Sequence, residues 1–242
     1  MKVKHYFVFS GDKQKSGKLD ETMWGTLRTD NDNPSFRVEE NIAQYEENCR
    51  KELGFKNRAY KVKKVLDRLG CKRIISFGCG KGILEWYLKK AGNYDLTCSD
   101  YAEPGLVRLK EVFPSCDSFL RFDLLHGSTE DISSYDAAIM HRISTEFDTS
   151  EWRMVFENMN RAGIKYIIYI PTEVASTRFV LREIYLHVKN RLLGRKDVMC
   201  GYCYTKEEFP KFWKDFYTVD SAYRIEKDNV MYILRMVENG QE

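Results

Sequence analysis

The sequence predicts an α/β fold with a doubly wound, mostly parallel sheet of seven strands, and three patterns support this prediction. From Arg73 onward, short apolar runs alternate with amphipathic helical segments, which is typical of βαβ units. The runs at 74–76, 137–140 and 166–170 are nearly continuous in apolar residues, as expected for strands that are buried on both faces. A glycine-rich stretch, GCGKG, follows the first run.

The predicted elements follow one another after a polar, loop-rich lead-in at residues 10–37. Helices are expected over 40–55, 57–70, 82–92, 104–114, 149–163, 174–193 and 205–216. Strands are expected over 73–78, 95–100, 118–125, 135–140, 164–171, 217–225 and 229–237. Because only the short link EKD separates the last two strands, we expect them to form an antiparallel hairpin.

This order divides the chain into two parts. Residues 1–56 form an N-terminal helical extension or cap, and residues 57–242 form the main α/β domain. The long helix predicted after the strand at 164–171 interrupts the regular alternation. Residues 174–204 are therefore interpreted as a helical insertion.

The bulk composition narrows the function. The 242 residues contain 39 Lys and Arg against 36 Asp and Glu, a net charge of +3. A nucleic-acid binder usually carries a clearer excess of basic residues, so no nucleic-acid partner is expected. The seven cysteines follow no regular spacing, and no signal-peptide core or long apolar span is apparent. These features predict a cytoplasmic protein with reduced thiols.

The glycine-rich stretch predicts a ligand site at the carboxyl end of the first parallel strand. Ligands of open α/β sheets bind at such an edge, where glycine lets the backbone come close and the next helix presents unpaired N–H groups. Gly78, Gly80 and Gly82 follow the spacing G-x-G-x-G. Dinucleotide-binding loops use G-x-G-x-x-G, and Ile83 occupies their third glycine position here, which disfavours NAD(P).

With this spacing, the segment 74–82 (IISFGCGKG) resembles the first motif of the class I S-adenosylmethionine (SAM)-dependent methyltransferases. The resemblance extends over residues 57–237 and includes the terminal antiparallel hairpin. It implies that SAM is the cofactor. The cofactor-binding residues implied in the loop are Gly78, Cys79, Gly80 and Gly82.

The resemblance also implies contacts beyond the loop. Asp100, at the end of the next strand, would accept hydrogen bonds from both ribose hydroxyls, and Asp123 would bind the adenine amino group. Tyr101 either stacks on the adenine or is an exposed loop residue. Ser76 replaces the acidic residue of the family motif, which leaves open how the amino group of the cofactor is held and whether the pocket is catalytic.

Three residues near strand ends are candidates for catalysis or substrate binding. His141, which follows the strand at 135–140, would border the cofactor and has an imidazole suited to a general base near neutral pH. A hydrogen-bonded structural histidine is the alternative. Arg142 would orient an anionic substrate group or pair with Glu146. Glu173 would act as a base or accept a substrate hydroxyl.

The insertion helix combines an apolar stripe with basic residues. A packed helix with a solvated basic face is the ordinary interpretation. The sharper hypothesis is a lid, in which Arg178 and Arg182 bind a phosphate or carboxylate of the acceptor, or a basic face that contacts an anionic membrane surface. No metal site is expected, because the CxxC of Cys200 and Cys203 lacks a second pair of ligands.

Together with these patterns, the resemblance implies methyl transfer from SAM to a small molecule, and we expect an oxygen on a sugar or a lipid-linked glycan as the acceptor. The carbohydrate hypothesis depends on the basic insertion and on an aromatic-rich entry formed by Tyr6, Trp24, Phe36 and Tyr45. Two alternatives stay open. One is a non-catalytic nucleoside-binding or scaffold protein with a degenerate methyltransferase pocket, and the other is an NAD(P)-binding oxidoreductase.

Overall fold

The computed structural model describes residues 3–4, 21–31, 35–172, 174–192, 202–225 and 229–237. The helices are α1 (Glu21–Thr29), α2 (Ile42–Lys51), α3 (Leu53–Leu69), α4 (Ile83–Ala91), α5 (Glu103–Val112), α6 (Thr149–Arg161), α7 (Thr177–Leu192) and α8 (Pro210–Trp213). The strands are β1 (Val3–Lys4), β2 (Arg73–Phe77), β3 (Asp95–Asp100), β4 (Ser118–Arg121), β5 (Ala137–His141), β6 (Tyr166–Ile170), β7 (Tyr202–Cys203), β8 (Tyr217–Arg224) and β9 (Val230–Met236).

A seven-stranded sheet forms the centre of the fold, with the strand order β4-β3-β2-β5-β6-β9-β8. β2 pairs in parallel with β3 and β5, and β4 and β6 extend the parallel part on either side. β9 runs antiparallel to both β6 and β8, which confirms the terminal hairpin. The predicted doubly wound α/β fold is therefore confirmed. The strand order reverses between β2 and β5, which is where ligands of such sheets bind.

Side chains cover both faces of the sheet, as its apolar strands require. On β5, Ala138 and Met140 belong to the core on the side of α6 and α8. Ala137 and Ile139 belong to the core on the side of α3 and α4. Because successive side chains of a strand point to opposite faces, a strand packed by helices on both sides must be apolar throughout.

The lead-in contains a helix that the sequence analysis missed. Residues 10–37 are predicted to be loop-rich, but Glu21–Thr29 forms α1. Trp24 and Leu27 are buried, and α1 packs on α5. Gly25 permits this contact, because a Cβ at that position would lie 3.1 Å from Pro104 Cγ. The glycine weakens the helical signal, and the polar neighbours on either side obscure it further.

Other boundaries also differ from the prediction. β4 ends at Arg121, so residues 122–125 lie beyond the strand. The helix expected over 205–216 is reduced to turns and the short α8. α3 begins at Leu53, four residues before the expected start at residue 57. In the insertion, α7 precedes β7, which pairs antiparallel with β1. Of the helices in the described ranges, none has both the length and the apolar composition needed to cross a bilayer.

Candidate functional site

A cavity of about 410 Å³ lies at the carboxyl edge of the parallel strands. Its walls come from the ends of β2, β3, β4 and β5 and from α1, and pockets of this size commonly hold small molecules or cofactors. The lining residues are Glu21, Trp24, Arg28, Phe77, Gly78, Asp100, Tyr101, Phe122, Asp123, Leu124, Leu125, His126, Arg142, Ile143, Glu146 and Phe147. Residues predicted from separate motifs thus meet at one cavity.

The glycine-rich loop needs its glycines for both conformation and space. Gly78, Gly80 and Gly82 have φ angles of 62°, 58° and 65°, in the left-handed region that other residues rarely adopt. A Cβ on Gly78 would lie 2.4 Å from Ile143 Cγ2, and a Cβ on Gly80 would lie 2.8 Å from Arg28 Nη2. The loop therefore packs closely against two other walls of the cavity.

Asp100 connects this loop to the end of β3. Its Oδ2 accepts a hydrogen bond from the N–H of Gly80 at 3.0 Å, and its Oδ1 accepts one from the N–H of Ala102 at 3.1 Å. The N–H of Cys79 donates to the carbonyl of Ser99 at 3.0 Å, so loop and strand are joined twice. A carboxylate oxygen can accept more than one hydrogen bond. Asp100 can therefore fix the loop and still bind a donor in the cavity.

Asp123 forms the turn that follows β4. Its Oδ1 accepts hydrogen bonds from the N–H groups of Leu125 at 2.8 Å and His126 at 3.4 Å. The side chain is exposed on the cavity wall. Beside it, the rings of Phe77 and Phe122 pack at 5.5 Å between centroids and supply an apolar surface. This part of the cavity combines a carboxylate with aromatic faces.

Helix α1 supplies a wall of which the sequence analysis named only Trp24, as part of an aromatic-rich entry. The indole Nε1 of Trp24 donates to Glu146 Oε2 at 3.2 Å. The guanidinium of Arg28 lies 4.9 Å from the centroid of the Trp24 ring, and its Nη1 donates to the carbonyl of Phe36 at 3.2 Å. These contacts hold a cation beside Gly80. The N-terminal extension thus contributes an indole and a guanidinium to the cavity.

The segment after α1 supports the glycine-rich loop from outside the cavity. The hydroxyl of Tyr45 donates to the carbonyl of Gly82 at 3.1 Å. Lys81 Nζ lies 4.0 Å from Glu39 Oε1 in an ion pair. Tyr45 is fully buried and belongs to this support. The sequence analysis expects it in an aromatic entry, and its burial excludes that position.

Glu146 follows β5 and lies half-buried in the cavity wall. Burial raises its pKa to about 7, and the charge of Asp100 adds to the effect, whereas Trp24 and Arg28 oppose it. A carboxyl group with this pKa exchanges its proton near neutral pH, which suits general acid–base catalysis. The sequence analysis considered Glu146 only as a partner for Arg142.

Arg142 lies on the cavity wall with an unusual backbone. Its φ is 62°, and it is the only residue other than glycine with a positive φ in the described part of the chain. Its N–H donates to the carbonyl of Ile170 at 2.8 Å, which ties it to β6. Such a conformation costs about 1–3 kcal/mol, and residues held in this way cluster at functional sites.

Comparisons with solved protein structures identify the type of fold that carries this cavity. No protein-family model and no curated protein matches the chain. The structure of a magnesium protoporphyrin IX methyltransferase from Synechocystis PCC 6803 with bound SAM matches 91% of this chain and 100% of its own, with a TM-score of 0.57 and 16% identity. The N-terminal domain of EvdMO1, in the presence of S-adenosylhomocysteine (SAH) and D-fucose, matches 76% of this chain and 83% of its own (TM-score 0.51, 11% identity). Other methyltransferases match at similar scores. The chain has the fold of a class I SAM-dependent methyltransferase.

One further match shows that the methyltransferase fold alone does not decide the chemistry. A putative zinc-dependent alcohol dehydrogenase from Rhodobacter sphaeroides matches 69% of this chain and 85% of its own, with a TM-score of 0.53 and 11% identity. Because all these identities are low, the function must be argued from the residues of the site.

Ser76 occupies the position at which the first motif of the methyltransferase family has an acidic residue. In the folded chain, an acidic side chain from helix α4 contacts it. The hydroxyl of Ser76 donates to Glu85 Oε1 at 2.5 Å. Glu85 lies in the first turn of α4, is 2% exposed, and has its pKa raised to about 7 by burial. A second carboxylate at position 76 would lie against Glu85 and repel it. Helix α4 therefore places a buried acid beside position 76, although Glu85 is not among the residues that line the cavity.

His141 ends β5 but does not line the cavity of the methyltransferase fold. Its ring packs edge-on against Phe55, with 5.3 Å between the centroids. Burial, followed by the charges of Arg58 and Arg142, holds the pKa of His141 well below its usual range. Because side chains alternate along a strand, the His141 side chain lies on the same face of the sheet as that of Ile139, the face that packs against α3. The catalytic and cofactor-binding roles of His141 stay predictions, and Glu146 is better placed for a base.

The remaining candidates are described only in part. Glu173 lies outside the described residues, as does the side chain of Arg178. Arg182 is exposed, with its guanidinium 5.1 Å from the ring centroid of Phe179, and no described residue of α7 lines the cavity. The lid and substrate-binding roles therefore stay predictions. Among the described residues, no group of His, Cys, Asp and Glu is arranged to hold a metal ion.

Proposed function

We propose that the chain transfers a methyl group from SAM to a small-molecule acceptor. The hydrogen bond between the N–H of Gly80 and Asp100 carries the proposal, because it joins the two motifs predicted to hold SAM at a single cavity. The contact also gives each motif a reason for its residue type. The glycine provides the left-handed backbone, and the aspartate provides acceptors on both of its oxygens.

The chemistry of the lining residues fits this cofactor. Asp100 offers carboxylate oxygens to a ribose diol, and Asp123 offers an acceptor to an adenine amino group. The rings of Phe77 and Phe122 provide an apolar surface suited to a purine. Bound SAM would supply a methyl group that is already activated on a sulfonium. The protein then has to align the acceptor and remove its proton.

Arg28 is the residue that we assign to the carboxylate of the methionine part. It is a half-buried cation next to the glycine-rich loop, and a planar guanidinium can bind a carboxylate through two hydrogen bonds. Its contacts with Trp24 and the carbonyl of Phe36 hold the side chain in place before any ligand arrives. Such preorganisation reduces the entropy cost of binding.

Glu146 is the residue that we assign as the general base. In its ionised form it would accept the proton of an acceptor hydroxyl as that oxygen gains the methyl group. Its pKa of about 7 matches this task, since both protonation states are populated near neutral pH. The indole N–H of Trp24 donates to Oε2 of the same carboxylate and thereby holds the Glu146 side chain in one orientation within the cavity wall.

For the acceptor, we propose an oxygen on a sugar or on a lipid-linked glycan. The Trp24 ring lies in the cavity wall and could pack against a sugar face, while Arg142 offers hydrogen bonds to hydroxyl or anionic groups. The matching EvdMO1 domain was solved in the presence of D-fucose, which supports the same acceptor class.

The proposal can be tested with SAM that carries a labelled methyl group. The purified chain is incubated with panels of free sugars, sugar phosphates and lipid-linked sugars, and label transfer and SAH formation are measured together. We expect label in one acceptor class and an equal amount of SAH. Binding of SAM without transfer to any acceptor would favour the non-catalytic alternative, and binding of NAD(P) instead of SAM would favour the oxidoreductase.

A further inference from the structure

Helix α7 carries a row of large apolar side chains that point into solvent. Leu181, Ile184, Tyr185, Val188 and Leu192 recur at helical spacing, and they are 62%, 57%, 62%, 50% and 82% exposed. They are five of the twelve exposed large hydrophobic residues in the described part of the chain. Residues spaced in this way share one face of a helix. We call this face the α7 stripe.

The α7 stripe is separate from the contacts that attach the helix to the fold. Phe179 is 8% exposed, and Val174, just before the helix, is 5% exposed. Val174 also forms a parallel bridge to Tyr204. The described contacts therefore lie at or before the first turn of the helix, and no described residue covers the stripe. An exposed apolar patch of this extent marks an interaction surface.

Basic residues accompany the stripe. Helix α7 contains four Lys and Arg and a single acidic residue, Glu183. Arg182 and Lys189 are exposed, and Lys189 Nζ lies 5.8 Å from the ring centroid of Tyr185. Arg195 and Lys196 follow in the sequence. An apolar face with adjacent cations is complementary to a lipid bilayer that carries anionic headgroups.

We infer that α7 lies on the surface of an anionic membrane, with its stripe inserted at the boundary of the headgroups and acyl chains. Tyr185 suits this depth, because tyrosine has an apolar ring and a polar hydroxyl. A second copy of the chain fits the stripe less well. A two-fold interface would bring Arg182 and Lys189 of both copies close together, and like charges would then oppose the contact.

The position of α7 connects the membrane to the cavity. The N–H of Thr172, before the helix, donates to Ser144 Oγ at 2.8 Å. After the helix, the N–H of Tyr202 donates to the carbonyl of Thr145 at 2.8 Å. Both partners belong to residues 143–147, of which Ile143, Glu146 and Phe147 line the cavity. A membrane-bound α7 would favour an acceptor carried in the bilayer, a consequence that rests on the proposed methyltransferase function.

Flotation of the full chain with lipid vesicles tests the inference without the cofactor. One set of vesicles contains only phosphatidylcholine, and the other contains phosphatidylcholine and phosphatidylserine in about equal amounts. We expect the chain to float with the anionic vesicles and to remain at the bottom with the neutral ones. The stripe variant Ile184→Asp/Val188→Asp and the charge variant Arg182→Glu/Lys189→Glu should each reduce the bound fraction at least about tenfold.

Met154→Asp is the matched control, because Met154 is 46% exposed on α6, outside the stripe. It should bind anionic vesicles like the unmodified chain. Circular dichroism establishes that all variants are folded, and SAM binding is measured separately, so loss of flotation and loss of the proposed function are distinguishable. Equal flotation of the stripe variant and the unmodified chain would overturn the inference. The inference would also be overturned if the unmodified chain bound no vesicles but formed dimers, and if the stripe variant were monomeric. That result would favour self-association.

Discussion

The indole N–H of Trp24 donates to Glu146 across 3.2 Å, and this contact joins the N-terminal helix to the loop after β5. A hydrogen bond to a carboxylate stabilises its ionised form, so Trp24 lowers the pKa of Glu146 against the stronger effect of burial. The pair thereby sets the pH range in which the proposed base is ionised.

The first prediction follows from this pair. Methyl transfer should increase with pH through about 7 in the unmodified chain, because only ionised Glu146 accepts a proton. Trp24→Phe should move the midpoint of the kcat/KM profile to higher pH, since the ionised form loses a hydrogen bond. Glu146→Gln should lower kcat by roughly a hundredfold or more and remove this pH limb. The control Glu111→Gln, on the exposed face of α5, should change neither. If Trp24→Phe and Glu146→Gln both had the pH profile of the unmodified chain, Glu146 would not be the general base.

The second prediction concerns Glu85 and stability. Because burial raises the pKa of Glu85 to about 7, this group favours folding while protonated, and its contribution is lost as the pH rises from about 4.5 through about 7. Glu85→Gln cannot ionise and still accepts a hydrogen bond from Ser76. The free energy of unfolding of the variant, minus that of the unmodified chain, should therefore increase by on the order of 3 kcal/mol when the pH is raised from about 5 to about 8.

Urea unfolding at the two pH values measures this difference. Glu111→Gln again serves as the control and should give no comparable gain. If the difference between Glu85→Gln and the unmodified chain is the same at both pH values, then Glu85 does not carry a raised pKa in the folded state.

The third prediction separates the two ends of the cofactor site. Arg28→Ala should weaken SAM binding by roughly tenfold to a hundredfold, the range for losing a hydrogen bond to a charged group. Binding of 5′-methylthioadenosine, which lacks the amino-acid part, should stay nearly unchanged. Arg161→Ala, an exposed arginine on α6, is the control and should affect neither ligand. Equal losses for both ligands would mean that Arg28 only supports the cavity wall.

The fourth prediction concerns the backbone of the loop. Gly80→Val should lose SAM binding while the protein stays folded, with about 1–2 kcal/mol less stability, because φ is 58° and the new side chain would meet Arg28. Gly54→Ala provides the matched control, since nothing lies within 4 Å of a Cβ at that helical position. Calorimetry and thermal unfolding of both variants make the comparison. Normal SAM binding by Gly80→Val would reduce the loop to a simple turn.

The parallel sheet and the loop could be predicted because their signals are local. Continuous apolar strands, a glycine run at a strand end and Asp100 at the end of the next strand can each be recognised in a short segment. In a parallel sheet these strand ends necessarily lie at one edge, so the sequence also indicates which residues meet. The resulting prediction needed no knowledge of long-range packing.

The residues missed by the sequence analysis depend on contacts distant in the chain. Arg28, and the helical setting of the already predicted Trp24, depend on α1, whose Gly25 lies against α5 with room for a Cβ only 3.1 Å from Pro104 Cγ. Glu85 appears in the sequence as an ordinary helical glutamate, and only the fold brings it into contact with Ser76, the residue that departs from the motif. His141 lies at the strand end as predicted, and strand alternation, which the sequence analysis did not apply to it, turns its side chain toward Phe55. Its roles stay predictions.

Calorimetric titration of SAM into the chain and into Asp100→Ala tests the central claim most directly. The account predicts that SAM binds and that Asp100→Ala weakens the affinity roughly tenfold or more, through loss of charged hydrogen bonds. Asp95→Ala, at the opposite end of β3, should bind SAM normally, and NAD(P) should not bind the unmodified chain. Absence of SAM binding, or equal affinity for SAM in the unmodified chain and Asp100→Ala, would contradict the account.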